Sequence, residues 1–189
     1  MDEIILFLCS IYPLSPDCVA YLKRTVRMRM VEEGQVILEI GEVCRNLYFI
    51  KKGALRCFYF VNDKEVSDWF FWEGETVVSI ESFYNQVPSE DCIQALEDCE
   101  LYYITFQELE YLYQHYIEFN FIGRVLTIKY LRVFHQHARN IRKLPAAEQY
   151  KYLLRTQPDL IQRIPLGPLA SWLNMEPETL SRMRGRRTN

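Results

Sequence analysis

The densest group of side chains able to engage a charged partner lies in the 27-residue run from Arg163 to Asn189. Glu178, Thr179, Ser181, Arg182, Arg184, Arg186 and Arg187 follow one another there within ten positions. Guanidinium groups bond phosphate oxygens and can grip guanine with two hydrogen bonds, a carboxylate accepts from cytosine, and a hydroxyl suits a phosphate. These groups reach the bases of a duplex only if a helix carries them into a groove.

The preceding residues supply a helix pair able to do this. Leu166, Leu169, Ala170 and Leu173 recur at helical spacing and give a first helix one apolar face. Ala170 falls where two helices would cross, and its small side chain permits close approach. Asn174-Met175-Glu176 forms the turn. Pro177 suits the first position of a second helix, where its missing N–H would be unpaired in any case. Leu180 and Met183 then point inward and leave the polar set outside. A steep crossing of this kind can push the second helix into the major groove of DNA. The same pattern also describes an amphipathic helical hairpin with a solvated basic end.

Charge is unevenly distributed along the chain. Residues 139–189 carry a balance of +6, and residues 1–138 carry −9. An acidic body with a basic end fits a polyanionic partner met at that end. The six cysteines are scattered without a C-x-x-C pair, so free thiols are expected rather than a metal site or a disulfide framework. His115, His135 and His137 all fall on a helical tract. The last two are two residues apart and face different sides, so they do not share a metal. No nucleophile elbow, phosphate-cradling glycine loop or H-E-x-x-H is present, and the expectation is a non-enzyme. The N-terminus begins with two acids and lacks a basic region before its apolar run, and no stretch reaches membrane-spanning length; a cytoplasmic protein with no membrane partner is expected.

Residues 2–30 read as helical pieces broken at Pro13 and Pro16, with Ser15-Pro16-Asp17 starting one of them. Beyond Met30, short β-branched and aromatic runs are punctuated by turn residues such as Gly41-Glu42, Lys52-Gly53 and Asn62-Asp63, the pattern of a sandwich or jelly roll. Thr105 with Glu108 makes a capping box. A long helix follows over about 117–143, with two apolar stripes. One is Phe119, Ile122, Leu126, Tyr130, Val133, His137, Ile141 and Leu144; the other is Phe121, Val125, Ile128, Leu131, Phe134 and Ala138. One stripe can pack on the strands, and the second calls for another copy of the helix. Burial between two domains of one monomer is the alternative.

Strand-rich barrel, long helix, then helix pair: the chain resembles the cyclic-AMP receptor protein/fumarate-nitrate regulator (CRP/FNR) superfamily. The run from Glu33 to Cys57 carries the resemblance, with Gly34, Gly41 and Gly53 at turns, Leu47-Tyr48-Phe49-Ile50 as a strand and Arg56 after the third glycine. It implies an α+β fold: a double-stranded β-helix (jelly roll) sensor domain with N-terminal helices over 1–114, a dimerisation helix over 115–143, and a helix-turn-helix domain over 144–189. It further implies a bacterial transcription regulator, with double-stranded DNA, a second copy of the chain and RNA polymerase as partners. Glu178, Ser181 and Arg182 then fall on the base-reading face, Thr179 beside a phosphate, and Arg184, Arg186 and Arg187 as phosphate clamps. The β-hairpin wing common in the family is not seen, so the DNA-binding domain is expected to lack a full wing.

Departures from the family concern the effector. Cyclic-nucleotide binders hold the cyclic phosphate with backbone N–H groups and an arginine, and the ribose with a carboxylate. In the equivalent segment here, 78–95, Glu81 can stand for that carboxylate, but Ile80 replaces a glycine and Ser89 the arginine, with Glu90 and Asp91 next to it. Carboxylates at this place repel an anion. No tight cyclic-AMP binding is expected. An effector pocket of Glu81, Tyr84 and Ser89 for an unknown small molecule is expected instead, with no cofactor or metal. A sensor module that acts through protein partners without DNA is the alternative function.

Overall fold

The computed structural model describes residues 2–185. Two N-terminal helices, α1 (Asp2–Ile11) and α2 (Pro16–Thr25), precede the strands. Ser15 caps α2 by accepting from the Cys18 N–H, with Pro16 at the first helical position. Two four-stranded antiparallel sheets follow. The first has the order β1 (Arg27–Val31), β8 (Cys99–Thr105), β3 (Asn46–Lys52), β6 (Thr76–Val77). The second has the order β2 (Val36–Leu38), β7 (Cys92–Ala95), β4 (Leu55–Val61), β5 (Lys64–Phe71). Neighbours distant in sequence, such as β1 with β8, are the mark of a jelly roll. Ile50, Leu55, Ile93 and Leu101 are fully buried between the layers. A short helix, α3 (Ile80–Asn85), interrupts the strands.

The turn residues act as read. Asn62 and Asp63 both have positive φ, 49° and 61°, which closes the β4–β5 hairpin with the twist that strands favour. Gly53 has φ 101°, and a Cβ there would stand 2.9 Å from the Asp98 carbonyl oxygen, so no other residue fits. One strand went unread. Arg27-Met-Arg-Met-Val31, taken with the helical N-terminal region, pairs in register with β8. Its period-2 alternation is short, and Met28 and Met30 are exposed, so no apolar face announces a strand.

Helix α4 (Phe106–His115) opens with the full Thr105–Glu108 capping box. Helix α5 then runs over Ile117–Lys143. Its two stripes are distributed differently from the sequence reading. Phe119 and Ile122 are buried on the body as expected, but Phe134 packs on Trp69 while Val133 and Ile141 face outward. A straight helix drifts by about 20° per heptad, so a seven-residue line cannot stay on one neighbour. The exposed stripe is Phe121, Val125, Ile128 and Leu131, while Val133 is exposed on a different side of the helix.

Four helices close the described chain: α6 (Ala146–Thr156), α7 (Pro158–Arg163), α8 (Leu166–Trp172) and α9 (Pro177–Gly185). Tyr150, Ile161, Ile164, Leu169, Leu173 and Leu180 form their core.

Candidate functional site: a helix pair docked on a sensor-like body

The α8–turn–α9 unit is built as its residues dictate. Ala170 is wholly buried at the crossing, and its carbonyl accepts from the Met175 N–H at 3.0 Å. Asn174 takes the left-handed conformation, φ 52°, that lets the chain reverse; asparagine tolerates it better than most residues. On α9, Glu178, Ser181 and Arg182 are exposed, and their spacing puts them on one face. Thr179 is half-buried and accepts from Arg182 Nη2 at 3.3 Å. Arg184 differs from these. Its guanidinium donates to the carbonyls of Ile161 (3.1 Å) and Ile164 (3.3 Å), so it ties α9 to the end of α7. Arg186 and Arg187 lie outside the described residues.

How this unit is held to the body was not legible in the sequence. β5 is an edge strand, and its free backbone groups need partners. Helix α8 supplies them. Ser171 Oγ accepts from the Ser67 N–H at 3.1 Å and donates to the Glu65 carbonyl at 3.2 Å, and Trp172 Nε1 donates to the Asp68 carbonyl at 3.0 Å. The Trp172 ring stacks on His137 of α5, at 4.8 Å and 11°, and stands edge-on to Trp69 and Phe70. One aromatic cluster therefore joins strand, long helix and helix pair. Burial pushes the His137 pKa down, so the stacked imidazole is neutral at physiological pH. His135 and His115 are exposed.

Arg163 adds a second tie, donating through both terminal nitrogens to Glu73 at 2.8 and 2.9 Å and pairing also with Glu97. Burial acts to raise the Glu73 pKa, but hydrogen bonds from Arg163 and the Gly53 N–H outweigh it and hold the carboxyl at about 2. The sign follows. A carboxyl depressed in the fold contributes stability above its ordinary pKa, and that contribution fades as pH falls from about 4.5 towards 2.

Glu75 behaves oppositely. Its Oε2 is buried with no hydrogen-bond partner among the described residues, and burial pushes the carboxyl up to about 7 despite Lys129 nearby. Its contribution to stability is therefore lost as pH rises from about 4.5 to about 7. Glu75→Gln should leave stability unchanged near pH 4.5 and raise it by roughly 1–3 kcal/mol at pH 8. Urea unfolding at both pH values checks this; an equal effect at both would refute the assignment.

The three residues expected to form an effector pocket are not brought to one cavity. Ser89 is buried in a closed relay: Asp91 N–H donates to Ser89 Oγ (3.0 Å), Ser89 to Ser79 Oγ (3.0 Å), and Ser79 to Asp91 Oδ2 (2.7 Å). The Asp91 carboxylate is thus held beside Ser79 and Ser89. Arg56, though buried, is committed to Glu65 at 2.8 Å and Gln94 at 2.8 Å and lies over the Phe58 ring. Glu81 is exposed and accepts from Asn85. Tyr84 instead lines an apolar cavity on the outer side of the first sheet, enclosed by α1, α4 and α5. Of the six cysteines only Cys9 is exposed; burial lifts Cys18 to about 12 and Cys99 to about 11, so both pack as thiols. Among the described residues, no helix is long and apolar enough to cross a membrane.

Comparison with known proteins fits this architecture. Residues 28–116 match the family model of the cyclic nucleotide-binding domain. Solved structures of similar fold extend over the remainder. They include the c-di-GMP-responsive global regulator CLP of Xanthomonas campestris, 18% identical with TM-score 0.69, covering 92% of each chain. FixK2 of Bradyrhizobium japonicum is 17% identical with TM-score 0.70, covering 85% of this chain and 83% of its own. A transcriptional regulator ascribed to the CRP/FNR family in Eubacterium rectale is 17% identical with TM-score 0.70, covering 90% and 82%. The two-sheet domain, long helix and C-terminal helices reproduce the fold of these neighbours. No curated protein sequence matches the chain.

Proposed function

We propose that this chain is a homodimeric bacterial transcription regulator that binds double-stranded DNA through α9. The observation that carries the reading is the exposed triplet Glu178, Ser181 and Arg182 on a short helix whose other face is buried. Such a helix, standing on a buried partner, is what direct readout in the major groove requires. The exposed stripe of α5 supports a second copy, which would place two α9 helices about 34–36 Å apart, one turn of DNA. The body then acts as sensor. Its Asp91 relay disfavours cyclic AMP, and a shift between two packings of α5 would set the spacing of the helix pair. Such a regulator works in the cytoplasm, with RNA polymerase as its further partner.

Salt-dependent retardation of duplex DNA tests the proposal. Arg182→Ala should cost about 1–3 kcal/mol on a selected operator and relax the preference at one base pair. Arg184→Ala should lower the stability of the C-terminal helices more than it changes sequence preference, because its donors face the α7 carbonyls. Absence of retardation across random duplexes would return the chain to a sensor module acting through proteins.

A further inference from the structure

We propose that the apolar cavity between the first sheet, α1, α4 and α5 binds a small neutral aromatic molecule of about the size of phenol. The cavity measures about 110 Å³. Apolar protein cavities of roughly 150 Å³ hold benzene, so a single ring is the right scale. Leu8, Phe49, Ile104, Ile122 and Leu126 are among its walls, and no charged side chain of the described residues lines it. A cyclic nucleotide or any other anion would lose its hydration there without compensation.

The walls also carry two phenol hydroxyls with no side-chain hydrogen bond to another of the described residues. Tyr130 Oη is occupied by the Thr76 N–H at 2.7 Å and the Thr76 hydroxyl at 3.0 Å. Tyr84, 48% exposed, and Tyr113, half-buried, line the cavity, and neither phenol hydroxyl has a side-chain hydrogen bond to another of the described residues. Burial raises both phenols, Tyr113 to about 12, so each stays neutral and can donate to a ligand hydroxyl. Tyr113 is seated by a specific notch. A Cβ on Gly123 of α5 would stand 2.7 Å from its ring, so the ring lies where only bare backbone allows it.

Occupancy would act on α5. The helix forms one wall through Ile122, Leu126 and Tyr130, and one turn further on Phe134 meets Trp69. His137 then meets Trp172 of the helix pair. Control of DNA binding by this route rests on the regulator reading; ligand binding itself does not.

The test is titration of the full chain with phenol and with toluene by calorimetry. Saturable one-site binding is expected, with phenol about fivefold tighter than toluene, the worth of one net hydrogen bond. Tyr113→Phe or Tyr84→Phe should bring the two ligands within about twofold of each other, with toluene unchanged. Leu126→Phe, which fills the cavity, should weaken both at least tenfold; if it fails to fold, the tyrosine variants decide alone. No saturable binding, or identical affinities in the variants and the parent, overturns the site. Amide exchange along α5 should slow on saturation with phenol, and unchanged exchange overturns the coupling. Neither readout uses DNA, so a failure of the regulator reading would be seen separately.

Discussion

If the chain is the dimeric regulator proposed above, Ile128→Asp is expected to yield a monomer and to weaken binding to an operator-length duplex by about a hundredfold or more, since bivalent attachment alone is worth about 10²–10⁴. Ile128 stands in the middle of the exposed stripe, 45% accessible in the single chain, with Val125 before it and Leu131 after it. In a symmetric pair each substitution meets its own copy, so two carboxylates would be buried against apolar side chains without a counter-charge. Because Ile128 lies outside the buried core of the single chain, the fold should survive, and circular dichroism should match the parent. Sedimentation equilibrium and gel retardation give the two measurements. A variant that stays dimeric, or a monomer that binds the duplex as tightly as the parent, would refute the placement of the second copy on this stripe.

The second large effect is expected at Trp172. Its ring is buried among Phe70, Trp69 and His137, and its Nε1 holds the Asp68 carbonyl. Trp172→Ala should cost about 3–5 kcal/mol, because the cavity opens at the junction of three elements and cannot collapse from one side. Trp172→Phe should recover most of this and leave a deficit of about 1 kcal/mol, the lost hydrogen bond. Urea unfolding followed at Trp69 and Trp72 reads both. An alanine variant within about 0.5 kcal/mol of the parent, the range of an ordinary surface substitution, would show that the cluster does not hold the helix pair to the body.

The two predictions concern interfaces of different legibility. The exposed stripe of α5 announces itself as apolar residues beyond what one neighbour can cover. Residue type and spacing were enough to raise the expectation of a second helix, though Val133, Ile141 and Phe134 changed sides because helical drift outruns a heptad line. The docking of α8 gave no such signal. Ser171, Trp172 and Arg163 meet backbone carbonyls and two carboxylates 66 to 106 positions away. No local pattern encodes an unpaired edge strand that a distant helix will cap.

By itself the sequence determined the period-2 strands, the capped helices, the tight reversals at Gly53 and Asn62-Asp63, and the polar face of α9, because each depends on neighbours within a few residues. Tertiary structure alone decided three things. Arg184 spends its donors on the α7 carbonyls, Ser89 and Asp91 close a relay instead of opening a pocket, and Tyr84 turns to a cavity outside the jelly roll. The reason is the same in each case: what a polar side chain does is set by which unsatisfied group the fold brings within about 3 Å of it, and that group comes from elsewhere in the chain.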